Sequence, residues 1–285
     1  MIPILAGLGT AFVFATSVLV SARASRVIGS PSTLGGAMLT GLAIGLPIAL
    51  LTAPRPDLTG EALLWVAFAG FGNVIGLLLT YAAYRIGAVG IISTIDSTEG
   101  AIAATLAVLA GEAVLPGVGP ILVLIAIGVV LAASGGGSEE GVAISRDRAI
   151  RAATLATAAA LCFGLSLFGS GRAAGIMPVV WAMLPARVVG VVFVAVPLLA
   201  LGRFQMTRSA LPFVVATGIC EVIGFSTFAI GARESIAVTS VLTSMFAPIS
   251  TVGAFVIFRE RLSRRQAVGI ALIITGVVAL GILQV

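Results

Sequence analysis

Residues Ile92–Gly100 read Ile-Ser-Thr-Ile-Asp-Ser-Thr-Glu-Gly, and they place two carboxylates, Asp96 and Glu99, within an otherwise apolar run. A spacing of three residues puts both side chains on one face of a helix. A carboxylate in hydrocarbon is costly unless it faces a cavity, a partner or the interior of a helix bundle. The stretch therefore predicts one wall of a polar chamber inside a membrane protein.

The composition of the whole chain supports a location in a membrane. Hydrophobic residues make up 59% of the 285 residues, charged residues make up 9%, and the mean hydropathy is +1.21. Soluble domains carry about 25% charged residues, and one membrane-spanning helix needs about 20 mostly apolar residues. We predict an all-α membrane protein with ten spanning helices, at residues 2–22, 32–52, 61–84, 89–110, 119–135, 150–171, 177–201, 209–231, 237–258 and 266–284.

A polar, glycine-rich segment divides these helices into two sets of five. It reads Ser-Gly-Gly-Gly-Ser-Glu-Glu-Gly over residues 134–141 and is followed by Arg146, Asp147 and Arg148. Such a composition is typical of a flexible linker. We predict a first five-helix repeat over residues 1–135, a linker over residues 136–149 and a second five-helix repeat over residues 150–285.

The two halves match each other in sequence. A shift of 148 residues aligns Val74-Ile75-Gly76 with Val222-Ile223-Gly224, Asn73 with Glu221, and Glu112 with Glu260, while a shift of 149 aligns Phe14, Ser17 and Arg23 with Phe163, Ser166 and Arg172. An odd number of helices in each copy turns the second copy upside down. Inverted repeats are the design of many secondary transporters, whose binding site lies near the midplane between the halves.

The distribution of arginine predicts the orientation. Loops after odd-numbered helices hold twelve of the 16 basic residues, all of which are arginine, whereas loops after even-numbered helices hold Arg55, Arg172 and Arg233. Positively charged loops favour the cytoplasmic side. This count predicts that the odd-numbered loops are cytoplasmic and that both termini lie on the outer side of the membrane. We expect the membrane to be a bacterial inner membrane.

A motif near the C-terminus resembles a known family. Phe258-Arg259-Glu260-Arg261-Leu262, followed by Gln266, Gly269 and Gly276-Val277, resembles the Gly-Glu-Arg-Leu pattern of EamA repeats, and Gly111-Glu112 with Gly128-Val129 is a weaker copy. The chain is similar to the drug/metabolite transporter superfamily over essentially its whole length. The resemblance implies export of a small metabolite, with the aromatic amino acid exporters as one subgroup. It also implies that both termini are cytoplasmic, in contrast to the arginine count.

Charged residues within the spans are the first candidates for substrate binding. Asp96 and Glu99 could bind a proton or the ammonium group of a ligand, and Glu221 lies at the position that the repeat pairs with Asn73. Arg187 has two interpretations. It forms a structural ion pair with Glu221 or Glu99, or it holds a substrate carboxylate through two parallel hydrogen bonds.

Aromatic and hydroxyl side chains complete the predicted substrate site. Tyr81, Phe163, Trp181 and Phe246 could line an apolar cavity, with a role in the core or facing lipid as the alternative for each. Ser244 belongs to a polar face that precedes Pro248, where a bend in the ninth helix could serve as a gate.

These observations predict a secondary transporter that exports a small metabolite, most simply an amino acid, by alternating access. The alternative is a proton-coupled exporter of cationic drugs. The sequence has no His, no nucleotide-binding loop of the Walker type and no metal-ligand cluster, so we predict no enzymatic activity, no cofactor and no metal. No basic face or aromatic platform for nucleic acid occurs. The expected partners are the small-molecule substrate and the lipid bilayer.

Overall fold

The computed structural model describes residues 1–84, 86, 92, 95–133, 146–249 and 264–283, and this part of the chain is helical without strands. The C-terminal motif at residues 258–262 and the glycine-rich segment 134–141 lie outside the described residues. The helices are α1 (Ile2–Ile28), α2 (Ser30–Thr52), α3 (Gly60–Tyr84), α4 (Glu99–Leu109), α5 (Val118–Ala133), α6 (Arg146–Ile176), α7 (Val179–Ala200), α8 (Leu211–Ala232), α9 (Ile236–Thr243) and α10 (Arg264–Leu283).

Six of these helices are long and apolar enough to cross a membrane, within the residues that the structure describes. They are Ile2–Ile28, Ser30–Thr52, Gly60–Ala83, Asp147–Ile176, Val179–Ala200 and Leu211–Ala232. Shorter apolar helices cover Glu99–Leu109, Val118–Leu131, Ile236–Ile249 and Ala267–Ala279. The chain is therefore an integral, multi-pass membrane protein.

Two helices extend beyond their predicted ends into charged sequence. Helix α1 continues to Ile28, past Arg26 in its last turn, and α6 begins at Arg146 within the segment that the sequence assigned to the linker. Arg26 lies near a helix C-terminus, where a cation interacts favourably with the helix dipole. At the start of α6 the first turn contains Asp147, whose negative charge is favourable there, and the long arginine side chains reach water from the helix end. Hydropathy alone therefore ends α1 too early and starts α6 too late.

Helix α7 is irregular because of its prolines. It consists of the segments Val179–Ala182 and Pro185–Gly190, a π-helical turn at Val191–Ala195, and a last segment, Val196–Ala200. Proline lacks the N–H group that would bond to the carbonyl four residues earlier, so Pro185 interrupts the helical ladder. Wide π-helical turns often occur at functional positions, and this one follows the segment that carries Arg187.

The helices pack in a reciprocal pattern between the two halves. Helix α1 packs along α8, while α6 packs along α3, and likewise α4 lies against α6 while α9 lies against α1. The contacts correspond in detail, because Phe14 of α1 lies against Gly224 of α8 and Phe163 of α6 lies against Gly76 of α3. A Cβ atom on either glycine would overlap the phenyl ring, so both close approaches require glycine.

Helices α4 and α9 pack against each other and join the two halves. The Gly100 N–H donates a hydrogen bond of 2.8 Å to Ser244 Oγ. A Cβ atom on Gly100 would overlap the Ser240 carbonyl oxygen and Ser244 Oγ. Residues Ile236–Thr243 of α9 are all buried. The segment that contains the predicted polar wall therefore lies directly against the interior helix of the other half.

Candidate functional site

Arg187 lies on the short segment Pro185–Gly190 of α7 and is completely buried. Its Nη2 atom donates to Glu221 Oε2 of α8 at 3.0 Å, and its guanidinium carbon lies 4.5 Å from the centre of the Phe225 ring. A Cβ atom on Gly41 of α2 would lie only 3.1 Å from Arg187 Cγ, so the glycine makes room for the arginine stem. The ion pair between Arg187 and Glu221 is the first of the two interpretations considered from the sequence.

The ion pair leaves part of the guanidinium unused. Among the described residues, Arg187 Nε and Nη1 are buried without a hydrogen-bond partner. Glu221 is less enclosed, with its side chain 19% exposed, and it also accepts a hydrogen bond of 3.2 Å from Ser17 Oγ of α1. Buried donors without partners are costly, so these two nitrogen atoms are an unsatisfied feature of the interior.

Glu99 begins α4 and is buried beside the contact with α9. The structure differs here from the continuous helix expected from the sequence, because Ser97 and Thr98 form a turn between Asp96 and Glu99. The Thr98 hydroxyl donates to the Ile95 carbonyl at 2.7 Å. Serine and threonine side chains compete with the helical ladder in this way.

Asp96 is buried against α3. Its Oδ2 atom accepts a hydrogen bond of 2.9 Å from Thr80 Oγ1, while its Oδ1 atom is buried and has no hydrogen-bond partner in the described part of the chain. Asp96 is 5% exposed and Glu99 is 7% exposed, so both carboxylates lie in the interior of the protein. An ionised carboxylate with an unpaired oxygen is unfavourable in the interior, and a proton or a cation would stabilise it.

The buried charges form one cluster. The Glu99 carboxylate interacts electrostatically with both Asp96 and Glu221, and Glu221 is paired with Arg187. Within the described residues, this charged cluster holds three carboxylates and one guanidinium. It carries an excess of two negative charges when every group is ionised. Because unpaired charges are disfavoured in a low-dielectric interior, a proton or a cationic ligand would stabilise this cluster.

The remaining predicted residues on α3, α6 and α7 surround this region in different ways. Asn73 is buried, and its Oδ1 atom has no hydrogen-bond partner in the described ranges. The Nε1 atom of Trp181 is also buried and has no partner there. Phe163 packs on Gly76, one turn from Asn73. Tyr81 is half-buried and packs with the apolar residues around Met38. The structure thus places Phe163 and Tyr81 in helix contacts, whereas Asn73 and Trp181 keep unpaired polar atoms.

The predicted residues of the ninth helix lie at an interruption. Regular α-helix ends at Thr243, and Ser244 and Met245 form a turn. Pro248 explains this position, because it has no N–H group to donate to the carbonyl of Ser244 four residues earlier. Ser244 contacts Gly100, next to Glu99, while Phe246 is half-buried and Pro248 is buried.

The structure adds residues that the sequence did not assign to the site. Ser17 contacts Glu221, Thr80 contacts Asp96, and Phe225 lies against Arg187. Only Ser17 had a signal in the sequence, since the repeat pairs it with Ser166, which donates a hydrogen bond of 2.7 Å to the Ala69 carbonyl. Single hydroxyl and phenyl groups in apolar helices are too common to be selected by pattern alone.

The fold and these buried groups define the class of the protein as a multi-pass membrane protein with a charged interior site. Comparison with known families agrees, because residues 1–134 match the EamA-like transporter family. This match supports the resemblance to the drug/metabolite transporter superfamily.

A solved crystal structure, described only as that of a protein, resembles the whole chain. The similarity has a TM-score of 0.76 and 18% sequence identity, and it covers 99% of this chain and 96% of the other. At this identity the likeness concerns the fold alone. No curated protein matches the sequence.

Proposed function

We propose that this protein is a secondary transporter that exports a small molecule with a positively charged amino group, most simply an amino acid, by alternating access. The observation that carries this proposal is the charged cluster, in which three carboxylates accompany one guanidinium. Intramembrane ionisable groups mark substrate or ion pathways, and the EamA-like match of residues 1–134 points to transport of small molecules.

An amino acid matches the unpaired groups at both of its ends. Its ammonium group would lie near Glu99 and Asp96, where Asp96 Oδ1 has no hydrogen-bond partner among the described residues. Its carboxylate would accept a charge-assisted hydrogen bond from Arg187 Nε or Nη1, the two guanidinium atoms without a partner among the described residues. Asn73, Trp181 and Ser244 would contribute polar contacts, and Tyr81, Phe163 and Phe246 would contribute the apolar wall that an aromatic or other neutral side chain needs.

Alternating access would use the two halves as inverted five-helix repeats, with ten spanning helices in total. The reciprocal contacts of Phe14 with Gly224 and of Phe163 with Gly76 support this arrangement. The match of residues 1–134 to the family also supports it, because it covers the range predicted as the first repeat. Pro248 would let the ninth helix bend as the halves move.

A second candidate is a proton-coupled exporter of cationic drugs. The ion pair between Arg187 and Glu221 favours it, because Arg187 is already neutralised and needs no ligand carboxylate. Glu99 and Asp96 would then bind either protons or the drug cation, which is the exchange that antiport requires.

Transport into proteoliposomes tests both candidates. We expect saturable uptake of labelled amino acids, competition by other amino acids, and loss of this uptake in Arg187→Gln. Uptake of lipophilic cations alone, driven by a pH gradient and retained in Arg187→Gln, would replace the first candidate by the second. Absence of both fluxes would contradict the proposed function.

We also propose that the protein lies in the bacterial inner membrane with the arginine-rich loops in the cytoplasm. Twelve arginines lie in or next to the loops that follow the odd-numbered predicted spans, and this asymmetry supports external termini. Fusion of alkaline phosphatase to the C-terminus tests this orientation, since the enzyme is active only outside the cytoplasm. An inactive alkaline phosphatase fusion together with a fluorescent GFP fusion would establish the opposite orientation.

A further inference from the structure

An open cavity of about 380 Å³ lies where α4, α6 and α8 end. Charged side chains line its mouth, namely Glu112, Arg172, Arg233 and Glu234. Its inner end is apolar and is formed by Ala107, Phe168 and Ile236, each of which is buried in the same core cluster. The cavity therefore changes from a charged mouth to an apolar floor.

The apolar floor separates this cavity from the charged cluster. Glu99 lies about 12 Å from Ala107 along α4, and Glu221 lies about 16 Å from Ala232 along α8, at 1.5 Å of rise per residue. The intervening residues Ala103 and Phe228 are completely buried in the same core cluster as Ala107 and Ala232. A solute that entered the cavity would reach the charged cluster only after these side chains separated.

Glu112 joins the two halves at the edge of the floor. It follows α4, and its carboxylate binds the N-terminus of α9 in the other half of the chain. Ser235 Oγ donates to Glu112 Oε1 at 2.6 Å, the Ile236 N–H donates to Oε2 at 3.1 Å, and the Ala237 N–H donates to Oε1 at 3.2 Å. A carboxylate is favourable at the positive end of a helix, where backbone N–H groups lack helical partners.

The other end of the α4 and α9 pair is held differently. There Gly100 lies in close contact with Ser240 and Ser244, and the backbones have no space between them. Helices in such close contact cannot slide past each other easily, whereas three hydrogen bonds at the rim of an open cavity can break one after another. Separation of α4 from α9 would therefore begin at Glu112.

We propose that the cavity is a vestibule of the transport path and that the contact of Glu112 with Ser235 and the start of α9 is the latch that keeps the apolar floor closed. This inference rests on the proposed transport function, to which it adds a gate. It also gives the Gly111-Glu112 motif a role, because the motif places a carboxylate just beyond α4, within reach of the other half.

Cysteine accessibility tests the latch without any substrate. In a chain with Cys162 and Cys220 replaced by alanine, Ala103→Cys places a thiol in the buried core between the apolar floor and the charged cluster. Reaction with a hydrophilic maleimide is measured in nanodiscs, where both faces are open. We expect Glu112→Gln to accelerate labelling by about tenfold, since it replaces hydrogen bonds to a charged group by weaker ones. Glu234→Gln, which removes an exposed carboxylate from the same cavity, should leave the labelling rate unchanged.

A second thiol separates gating from unfolding. Ala24→Cys places this second thiol in a buried cluster that also contains Val214 of α8. At a rise of 1.5 Å per residue, Val214 lies about 27 Å along α8 from Ala232, which lines the cavity. Faster labelling at position 103 alone supports the latch. Equal acceleration at both positions, or none at position 103, overturns it. If neither the variants nor the protein with only Cys162 and Cys220 replaced transports any substrate, the proposed function is overturned. The labelling result does not depend on that outcome.

Discussion

Replacement of Glu221 by glutamine tests whether the ion pair with Arg187 stabilises the interior. Arg187 is completely buried, 3.0 Å from Glu221 Oε2, and its other two nitrogen atoms have no hydrogen-bond partner in the described residues. Removal of the negative charge therefore leaves a buried cation without compensation. Breaking a buried ion pair costs about 3–5 kcal/mol. The lower end applies here, because Glu221 is 19% exposed and water reaches part of its carboxylate.

Thermal unfolding of the purified protein measures this loss. A cost of about 3 kcal/mol, at roughly 2–4 °C per kcal/mol, lowers the unfolding temperature by about 6–12 °C. Ser17→Ala is the matched control, because it removes only the 3.2 Å hydrogen bond to Glu221 Oε1. That change should cost about 1 kcal/mol. The double variant Arg187→Met with Glu221→Met should recover most of the stability, since neither charge is then left alone.

Two results would refute this reasoning. An unfolding temperature of Glu221→Gln equal to that of the wild-type protein would mean that water or another group already neutralises Arg187. A double variant less stable than Glu221→Gln would mean that the pair itself, and not the unpaired cation, determines the stability. Either result would also weaken the argument that the charged cluster needs a cationic ligand.

Three further predictions concern the centre of the bundle. Gly100→Ala should prevent the contact of α4 with α9 and abolish stable expression. Gly175→Ala should be tolerated, because the space around its Cβ position is open. Equal expression yields of the two variants would contradict the tight contact. Glu99→Gln should abolish uptake of amines. It should not lower the unfolding temperature, because it removes the repulsion of Glu99 with Asp96 and Glu221. Unchanged uptake would show that Glu99 does not belong to the substrate site. Gly76→Ala and Gly224→Ala should destabilise similarly, and strongly unequal effects would argue against equivalent repeats.

Hydropathy and charge predicted the environment of this protein and most of its helices. Apolar runs of about 20 residues have few alternatives to a membrane span, so most of the described helices lie close to the predicted ones. The fourth and ninth differ, because their described helices are Glu99–Leu109 and Ile236–Thr243 where the sequence predicted residues 89–110 and 237–258. The helix ends were less predictable, because Arg26 and Arg146 extend helices into charged sequence that hydropathy excludes. The identity of Asp96 and Glu99 as interior groups was also predictable, because a carboxylate in an apolar run must face a polar interior.

The partners of these groups depend on the tertiary structure. The sequence allowed Arg187 to pair with Glu221 or with Glu99, and only the packing of α7 against α8 selects Glu221. The Gly111-Glu112 motif was visible in the sequence, but its contact with Ser235 was not, because 123 residues separate Glu112 from Ser235. Local sequence determines which residues must be buried, whereas the mutual packing of distant helices determines which buried groups meet.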